Sequence, residues 1–367
     1  MDASLPTPER PPGIRDVARA AGVSVASASV ALNHRPGVAA DTRARILAAA
    51  EQLGYRAHPQ ARALRSGHSN TFGLVVRNLG NPFFLDIISG AEEVASAAGA
   101  TVLFLDSHYS VERERHLVEA MAAQRVDGLA IAPVGTGQSI RLWQELRPGM
   151  PAVALNATVD GIPDVSRVMP DNAAALELPM SRLAELGHVK VAFLSAPRPL
   201  MADPDRLRHF RRLVRALGLQ SEIWYTPLNL AAAQSAVEAR LARPERPTAV
   251  IANSDYVAQA VYRAARRIGL AVGPDVSVVG HDDLPTSELL DPPLATLAVD
   301  RLAMGRALMR RLLEVETGDH VEPVAWVERA SVRTAAPGVG HRRPTGAGRP
   351  PGPAERSPDT SRSRRGA

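Results

Sequence analysis

The chain has 367 residues, 45% of them hydrophobic, a net charge of +5 and no cysteine. That length suffices for two or three domains with ample core, and the missing cysteines exclude disulfides, thiol nucleophiles and cysteine-ligated zinc. No apolar run reaches the roughly eighteen residues of a membrane span, and MDASLPTPERPPG lacks an apolar signal core, so a cytoplasmic address is expected.

Residues 1–13 are rich in Pro and charge and are expected to form a disordered leader. In IRDVARAAGVSVASASVALN, Ile14, Val17, Ala18 and Ala21 recur at helical spacing. Gly22 suits the left-handed position that ends a helix, and Ser24 can cap the next one. The second helix therefore begins at Val25. Its core stripe is Ala28, Ala31 and Leu32, which turns Val25, Ala26, Ser29 and Val30 outward. In a helix-turn-helix those side chains meet a DNA major groove, although paired helices around a glycine also occur in domains that never bind DNA. A third helix, TRARILAAAEQLG, opens at Asp41, sets Ile46, Leu47, Ala50 and Leu53 on one face and stops at Gly54. Three helices in so short a span make the core of a helix-turn-helix headpiece, placed at residues 14–57. Positive charge gathers here and in the C-terminal tail. Nearly every basic residue is Arg, with Lys190 the sole Lys, so codon bias explains the richness as well as phosphate binding does.

A polar stretch, RAHPQARALRSGHSN, follows, and residues 58–70 are set apart as hinge and linker. Pro59 can open a short helix, Gly67 can end it, and Ala61 and Leu64 share one face. Such a helix is too short to be stable alone, and a plain linker is the other reading. From Thr71 the runs TFGLVV, TVLFLD, GLAIAP and PAVALN, and then KVAFLSA, EIWYT, TAVIAN and VSVVGHD, read as buried parallel strands separated by amphipathic helices. Residues 71–332 are thus expected to form two α/β lobes, with a ligand cleft where the carboxyl ends of their strands face each other. Residues 333–367, rich in Pro, Gly and Arg, read as a disordered basic tail. There is no G-x-S-x-G elbow, phosphate-binding loop or H-E-x-x-H, so neither catalytic residues nor a cofactor are expected. His281 with Asp282 and Asp283 could ligate a metal, but adjacent carboxylates more often cap a turn, and no metal is expected.

Several motifs stand in one order: DVARAAGVS at Asp16–Ser24, ALN at Ala31–Asn33, TRARIL at Thr42–Leu47, LGYR at Leu53–Arg56, ARALRSG at Ala61–Gly67, NPFF at Asn81–Phe84, ELGH at Glu185–His188 and SVVGHDD at Ser277–Asp283. From Ile14 to about Val332 the chain resembles the LacI/GalR family of transcriptional regulators, which contains the lactose and purine repressors. The resemblance implies an all-α headpiece joined to a two-lobed, periplasmic-binding-protein-like effector domain of type I. It sets the crossings between lobes near Asn156, near Asp283 to Pro293 and near Val324, with the first lobe at Thr71 to Asn156 plus Leu294 to Val321. It also implies paired hinge helices whose Leu64 wedges into the minor groove of a near-palindromic operator. The tail lacks the leucine heptads that make some relatives tetramers, so a homodimer is expected.

By the same resemblance, Val25, Ala26, Ser27, Ser29 and Val30 read bases. Ser27, Ala28, Ser29 and Val30 stand where most members carry Thr-Val-Ser-Arg, so a bidentate Arg contact to guanine is missing and the operator preference is altered. Arg15, Arg35, Arg43 and Arg62 are candidate phosphate partners, with ordinary surface charge as the alternative. The effector is assigned to Asn81, Phe83, Phe84, Asn156, Asp171, Arg206, Phe210, Ser254, Asp255 and Asp282. His209, Ser254 and His281 depart from the family's usual residues. The expected function is a repressor controlled by a small molecule, most simply a sugar. The alternatives are a regulator with a non-sugar effector or corepressor, and a solute-binding protein with a degenerate headpiece.

Overall fold

A computed structural model describes residues 12–33, 36–55, 68–159, 161–201, 204–227 and 229–335. The expected leader lies outside these residues except for Pro12 and Gly13, as do the hinge residues Ala61, Arg62 and Leu64, and Arg35.

Three helices build the headpiece: α1 (Ile14–Ala20), α2 (Val25–Leu32) and α3 (Ala40–Gln52). Gly22 takes φ +64°, and the Ser24 hydroxyl accepts from the Ser27 amide at 3.0 Å, so the turn and cap form as the sequence indicates. The core is small and alanine-rich: Val17, Ala18, Ala28, Ala31, Ile46, Ala49 and Ala50. Leu47 and Leu53 were expected in it but are 37% and 38% exposed. The partners α1 and α2 span only 7 and 8 residues and cover a narrow stripe of α3. Leu47 lies about 100° around the helix from Ile46, and Leu53 falls at the C-cap, beyond the covered turns.

The first lobe follows with β1 (Thr71–Val76), α4 (Phe83–Ala97), β2 (Thr101–Asp106), α5 (Val111–Ala123), β3 (Gly128–Ile131), α6 (Gln138–Leu146), β4 (Ala152–Leu155) and β5 (Val165–Pro170). The second lobe holds α7 (Ala174–Glu185), β6 (Lys190–Ser195), α8 (Pro204–Ala216), β7 (Gln220–Tyr225), α9 (Leu230–Leu241), β8 (Ala249–Ala252), α10 (Asp255–Arg267) and β9 (Ser277–Val279). The chain then returns through β10 (Thr296–Val299), α11 (Arg301–Leu312), β11 (His320–Glu322) and β12 (Val324–Val327). Every strand pair in the six-stranded sheet β11-β5-β4-β3-β1-β2 and in the four-stranded sheet β7-β6-β8-β9 is parallel. Antiparallel β10 and β12 connect the lobes.

One crossing differs from the expectation. The first comes at Asp171 rather than near Asn156, because Val165–Pro170 adds a fifth strand to the first lobe. Its Ser, Arg and Pro hide it from an apolar-run search, and β11, paired over His320–Glu322, covers its outer side. The second lobe's return passes through residues 283–293, where Leu284 packs in the first-lobe core while Ser287 bonds Asp255 of the second lobe, and goes on through β10. Helix α11 packs against α4 at backbone distance: a Cβ on Gly90 would lie 2.2 Å from the Leu302 carbonyl oxygen, and one on Gly305 2.1 Å from that of Ile87. The expected tail lies outside the described residues except for residues 333–335. Arg333 and Ala335 are still hydrogen-bonded to Ser277 and Leu186 of the second lobe. Among the described residues, no helix is long and apolar enough to cross a membrane.

Candidate functional site

Two surfaces carry chemistry. On the headpiece, α2 presents Val25, 44% exposed, and Ala26 to solvent, while Ser27, Ser29 and Val30 are half-buried beside them. The Ser27 hydroxyl is 2.9 Å from that of Ser24, and Asn33 donates through Nδ2 to the Ser29 carbonyl at 2.7 Å. Small apolar and hydroxyl groups therefore make up this face. It can approach a groove floor closely and touch thymine methyls, but α2 brings no guanidinium for guanine. Arg15 is exposed on α1. Arg43 donates to the Ala31 carbonyl at 3.0 Å, so it braces the end of α2.

The second surface is a cavity of about 80 Å³ between the lobes. Its walls come from the carboxyl ends of parallel strands, where α/β sheets bind ligands. Arg77 and Asn81 follow β1, Tyr109 follows β2 and Asn156 follows β4, while Phe83 and Phe84 open α4. The other lobe supplies Phe193, Ser195, Ala196, Leu200 and Met201 around β6, Arg206 from α8, Asn253 and Ser254 after β8, and Asp282 after β9.

Arg206 is buried and donates twice to the Asn172 side-chain oxygen, at 3.0 and 2.8 Å, and to the Asn253 carbonyl at 3.0 Å. Arg77 lies over the Phe84 ring and donates to the carbonyls of Pro133 and Asn156, both at 3.3 Å. Asp282 sits at φ +122°, with its amide on the Leu297 carbonyl and its own carbonyl held by Arg301, which also pairs with Asp86 of α4. His281 Nδ1 lies 3.0 Å from Asp282 Oδ1, whereas Oδ2 is buried without a hydrogen-bond partner. Burial pushes the Asp282 carboxyl up to about 8 against the opposing pull of the Arg206, Arg301 and Arg77 cations. Burial likewise raises Tyr109, which stays a neutral phenol. At neutral pH the unpartnered side of Asp282 can therefore donate a proton to a ligand or give it up to accept from one.

Of the effector residues named from the sequence, Asn81, Phe83, Phe84, Asn156, Arg206, Ser254 and Asp282 meet around this cavity, and three do not. Asp171 caps α7, accepting through Oδ1 from the amides of Ala173 and Ala174 at 3.0 Å each. Phe210 is fully buried one layer behind, stacked on Phe193 with ring centroids 5.1 Å apart. Asp255 faces the crossing segment, accepting from the Leu284 amide at 2.8 Å and from the hydroxyls of Ser287 and Thr296 at 2.6 Å each. Arg77, Tyr109, Ser195 and Asn253 were missed. Each lies at or just beyond the end of a strand visible in the sequence, so position was the available signal. The lobes also touch across the cleft, where Thr158 donates to Asp205 Oδ2 at 3.0 Å.

Comparison with known proteins assigns both halves. Residues 13–58 match the bacterial regulatory proteins of the lacI family, and residues 180–332 match the periplasmic binding protein-like domain. The HTH-type transcriptional regulator MalR of Streptomyces coelicolor is 32% identical over 312 residues, covering 82% of this chain and 89% of MalR. The Lac repressor dimer bound to operator and the anti-inducer ONPF matches with a TM-score of 0.77 at 27% identity, over 88% of this chain and 100% of that one. The transcriptional regulator CelR in complex with cellobiose matches with a TM-score of 0.64 at 26% identity, over 87% and 99% of the two chains.

Proposed function

The chain belongs to the LacI family of bacterial regulatory proteins, and on that premise we propose that it is a cytoplasmic, homodimeric repressor whose operator binding is set by a small sugar-like effector between the lobes. One observation carries this reading: a complete three-helix headpiece shares a chain with a cavity that buries Arg206 and Asp282. A solute-binding protein needs only the second of these. The Lac repressor's dimer on operator and CelR's cellobiose support the partner and ligand classes.

In this mechanism α2 enters the major groove of each half-site, and its Val25 and Ala26 make close apolar contact while Arg15 meets the backbone. The hinge residues Ala61 and Leu64, with Arg62, would complete the reader in the minor groove. In the cleft, Arg206 and Asn81 offer hydrogen bonds, Asp282 Oδ2 takes or gives one, and the phenyl faces of Phe83 and Phe84 cover the apolar side of a ring. Because the cavity has walls from both lobes, a ligand there has different affinities for closed and open arrangements, which is the requirement for shifting the hinges.

The test is selection of bound sequences from random duplex DNA by the full-length protein, with and without a panel of sugars. A two-fold symmetric consensus whose recovery changes with one sugar is the expected result. No preferred sequence under any condition would leave ligand binding as the surviving function.

A further inference from the structure

Where the hinge segment joins the first lobe, the chain is held by one carboxylate. Asp127, buried just before β3, accepts from the amides of two consecutive residues, from Ser69 through Oδ1 at 2.9 Å and from Asn70 through Oδ2 at 2.7 Å. These are the last two residues of the stretch set apart as hinge and linker. Both strands beside β1 add a tie. The Thr101 amide, at the start of β2, donates to the Asn70 carbonyl at 2.9 Å, and the Asp127 amide donates to the Thr71 carbonyl at 2.7 Å. The Ser69 hydroxyl accepts from the Thr71 amide at 3.2 Å, and the Thr71 hydroxyl donates to the Ser69 carbonyl at 3.2 Å. Asn70 takes φ +48°, so the chain turns sharply as it enters β1.

Ser69 is half-buried and Asn70 is exposed, so water could satisfy both amides, and a buried carboxylate is not needed for that purpose alone. What it adds is direction. Two charge-assisted bonds to one rigid group stop successive peptide units from rotating. Asp127 has no room to yield either: a Cβ on the next residue, Gly128, would lie 2.9 Å from Pro151 Cγ and 3.1 Å from Phe72 Cδ1. From this clamp β1 runs about 20 Å, between β3 and β2, to Arg77 at the cavity wall. The amino ends of these three strands hold the hinge, and the carboxyl ends of β1 and β2 lead into the cleft. A movement of the first lobe is thus delivered to the hinge without slack.

We propose that Asp127 is a positioning residue for operator binding. It touches no DNA, but it fixes the direction in which the hinge segment leaves the first lobe, and so the separation at which the two hinges of a dimer reach the operator. This rests on the chain being a regulator with a working hinge. Loss of the clamp costs affinity because the hinge must then be ordered from a wider set of directions when DNA binds.

The test uses full-length protein and the operator recovered by the DNA selection. Asp127→Asn keeps the shape of the side chain but leaves one oxygen for one amide and turns a donor toward the other. Specific operator affinity should fall by about tenfold or more while affinity for a nonspecific duplex stays within about twofold, since the headpiece charges are untouched. Val118→Ala, in the first-lobe core on α5 and away from the clamp, is the control for lost stability, and its operator affinity should remain that of the wild type. Ser69→Pro, at a half-buried position, removes one of the two donated amides, keeps the carboxylate and should lose part of the specific affinity; it decides the matter if Asp127→Asn fails to fold. Wild-type operator affinity in the clamp variants, or an equal loss in Val118→Ala, would overturn the proposal and leave the regulator reading standing. A protein that selects no sequence would overturn that reading and the proposal with it.

Discussion

The headpiece and the interlobe cleft solve opposite problems. The headpiece must keep its proposed reading groups on the surface, so it buries only seven apolar side chains, five of them Ala, and leaves Val25 and Ala26 outside. The cleft must hold its proposed effector-binding groups in place before a ligand arrives, so it buries Arg206 and Asp282 and braces them with Asn172, the Asn253 carbonyl, His281 and Arg301. The reader is therefore limited by stability, and the sensor by electrostatic cost. This difference predicts that damage to each region has a different signature.

The largest effect is expected in the reader. Ile46 is fully buried at the centre of the headpiece core, and Ile46→Ala should cost about 2–5 kcal/mol. A domain this small holds little more stability than that. Operator binding should be lost, while calorimetry shows the α/β domain melting as in the wild type. A downshift of both transitions would mean that the two regions fold as one unit. Next comes Arg206→Ala in the sensor, which leaves the Asn172 side chain and the Asn253 carbonyl unsatisfied in a buried place. Any sugar that raises the wild-type melting temperature should give no shift in this variant, yet operator affinity without sugar should stay within about twofold, below the tenfold that 1.4 kcal/mol represents.

A smaller effect follows from pH. Asp282 has its native value raised to about 8, so between about pH 4 and 8 the folded protein keeps a proton that the unfolded chain has released. The stability due to this proton is complete below the unfolded value and is lost as pH rises through about 8. Glu114, raised by burial to about 7, and Asp255, raised by burial to about 6, act in the same direction. Asp282→Asn removes the largest of these contributions. Its melting temperature should exceed that of the wild type by an amount that grows from pH 5 to pH 8. A difference independent of pH would show that Asp282 is ionised throughout.

The same contrast explains what could be read from the sequence. The headpiece was legible because its helices, turn and cap are local: Gly22, Ser24 and the spacing of Val17, Ala28 and Ile46 lie within one short stretch. The strands that are continuous apolar runs were equally plain. Strand β5 was not, since Ser166, Arg167 and Pro170 break the pattern and its place depends on β11, far away in sequence. In the cleft most of the named strand ends meet around the cavity, but the residue facing it was sometimes misjudged, as with Asp255, two positions past Asn253. Backbone leaving a strand has no fixed periodicity. Asn156 at φ +47° and Asp282 at +122° show how far it departs, and only the packed lobes decide which side chain turns inward.

The mildest test lies at Ser24, where the two demands on the headpiece meet. Its hydroxyl satisfies the Ser27 amide at the start of α2, immediately before the exposed Val25 and Ala26. Ser24→Ala should cost about 1 kcal/mol of helix stability, much less than the loss of a core side chain. If the cap only stabilises the fold, operator affinity at low temperature will be unchanged and the headpiece will simply melt earlier. If it also sets the angle at which Val25 and Ala26 meet the bases, specific binding will weaken by roughly fivefold while nonspecific binding, which depends on phosphate charge, is unaffected. The second result is expected. Val25 and Ala26 in the first turn of α2 are exposed, and a frayed turn would carry these proposed reading residues away from the groove.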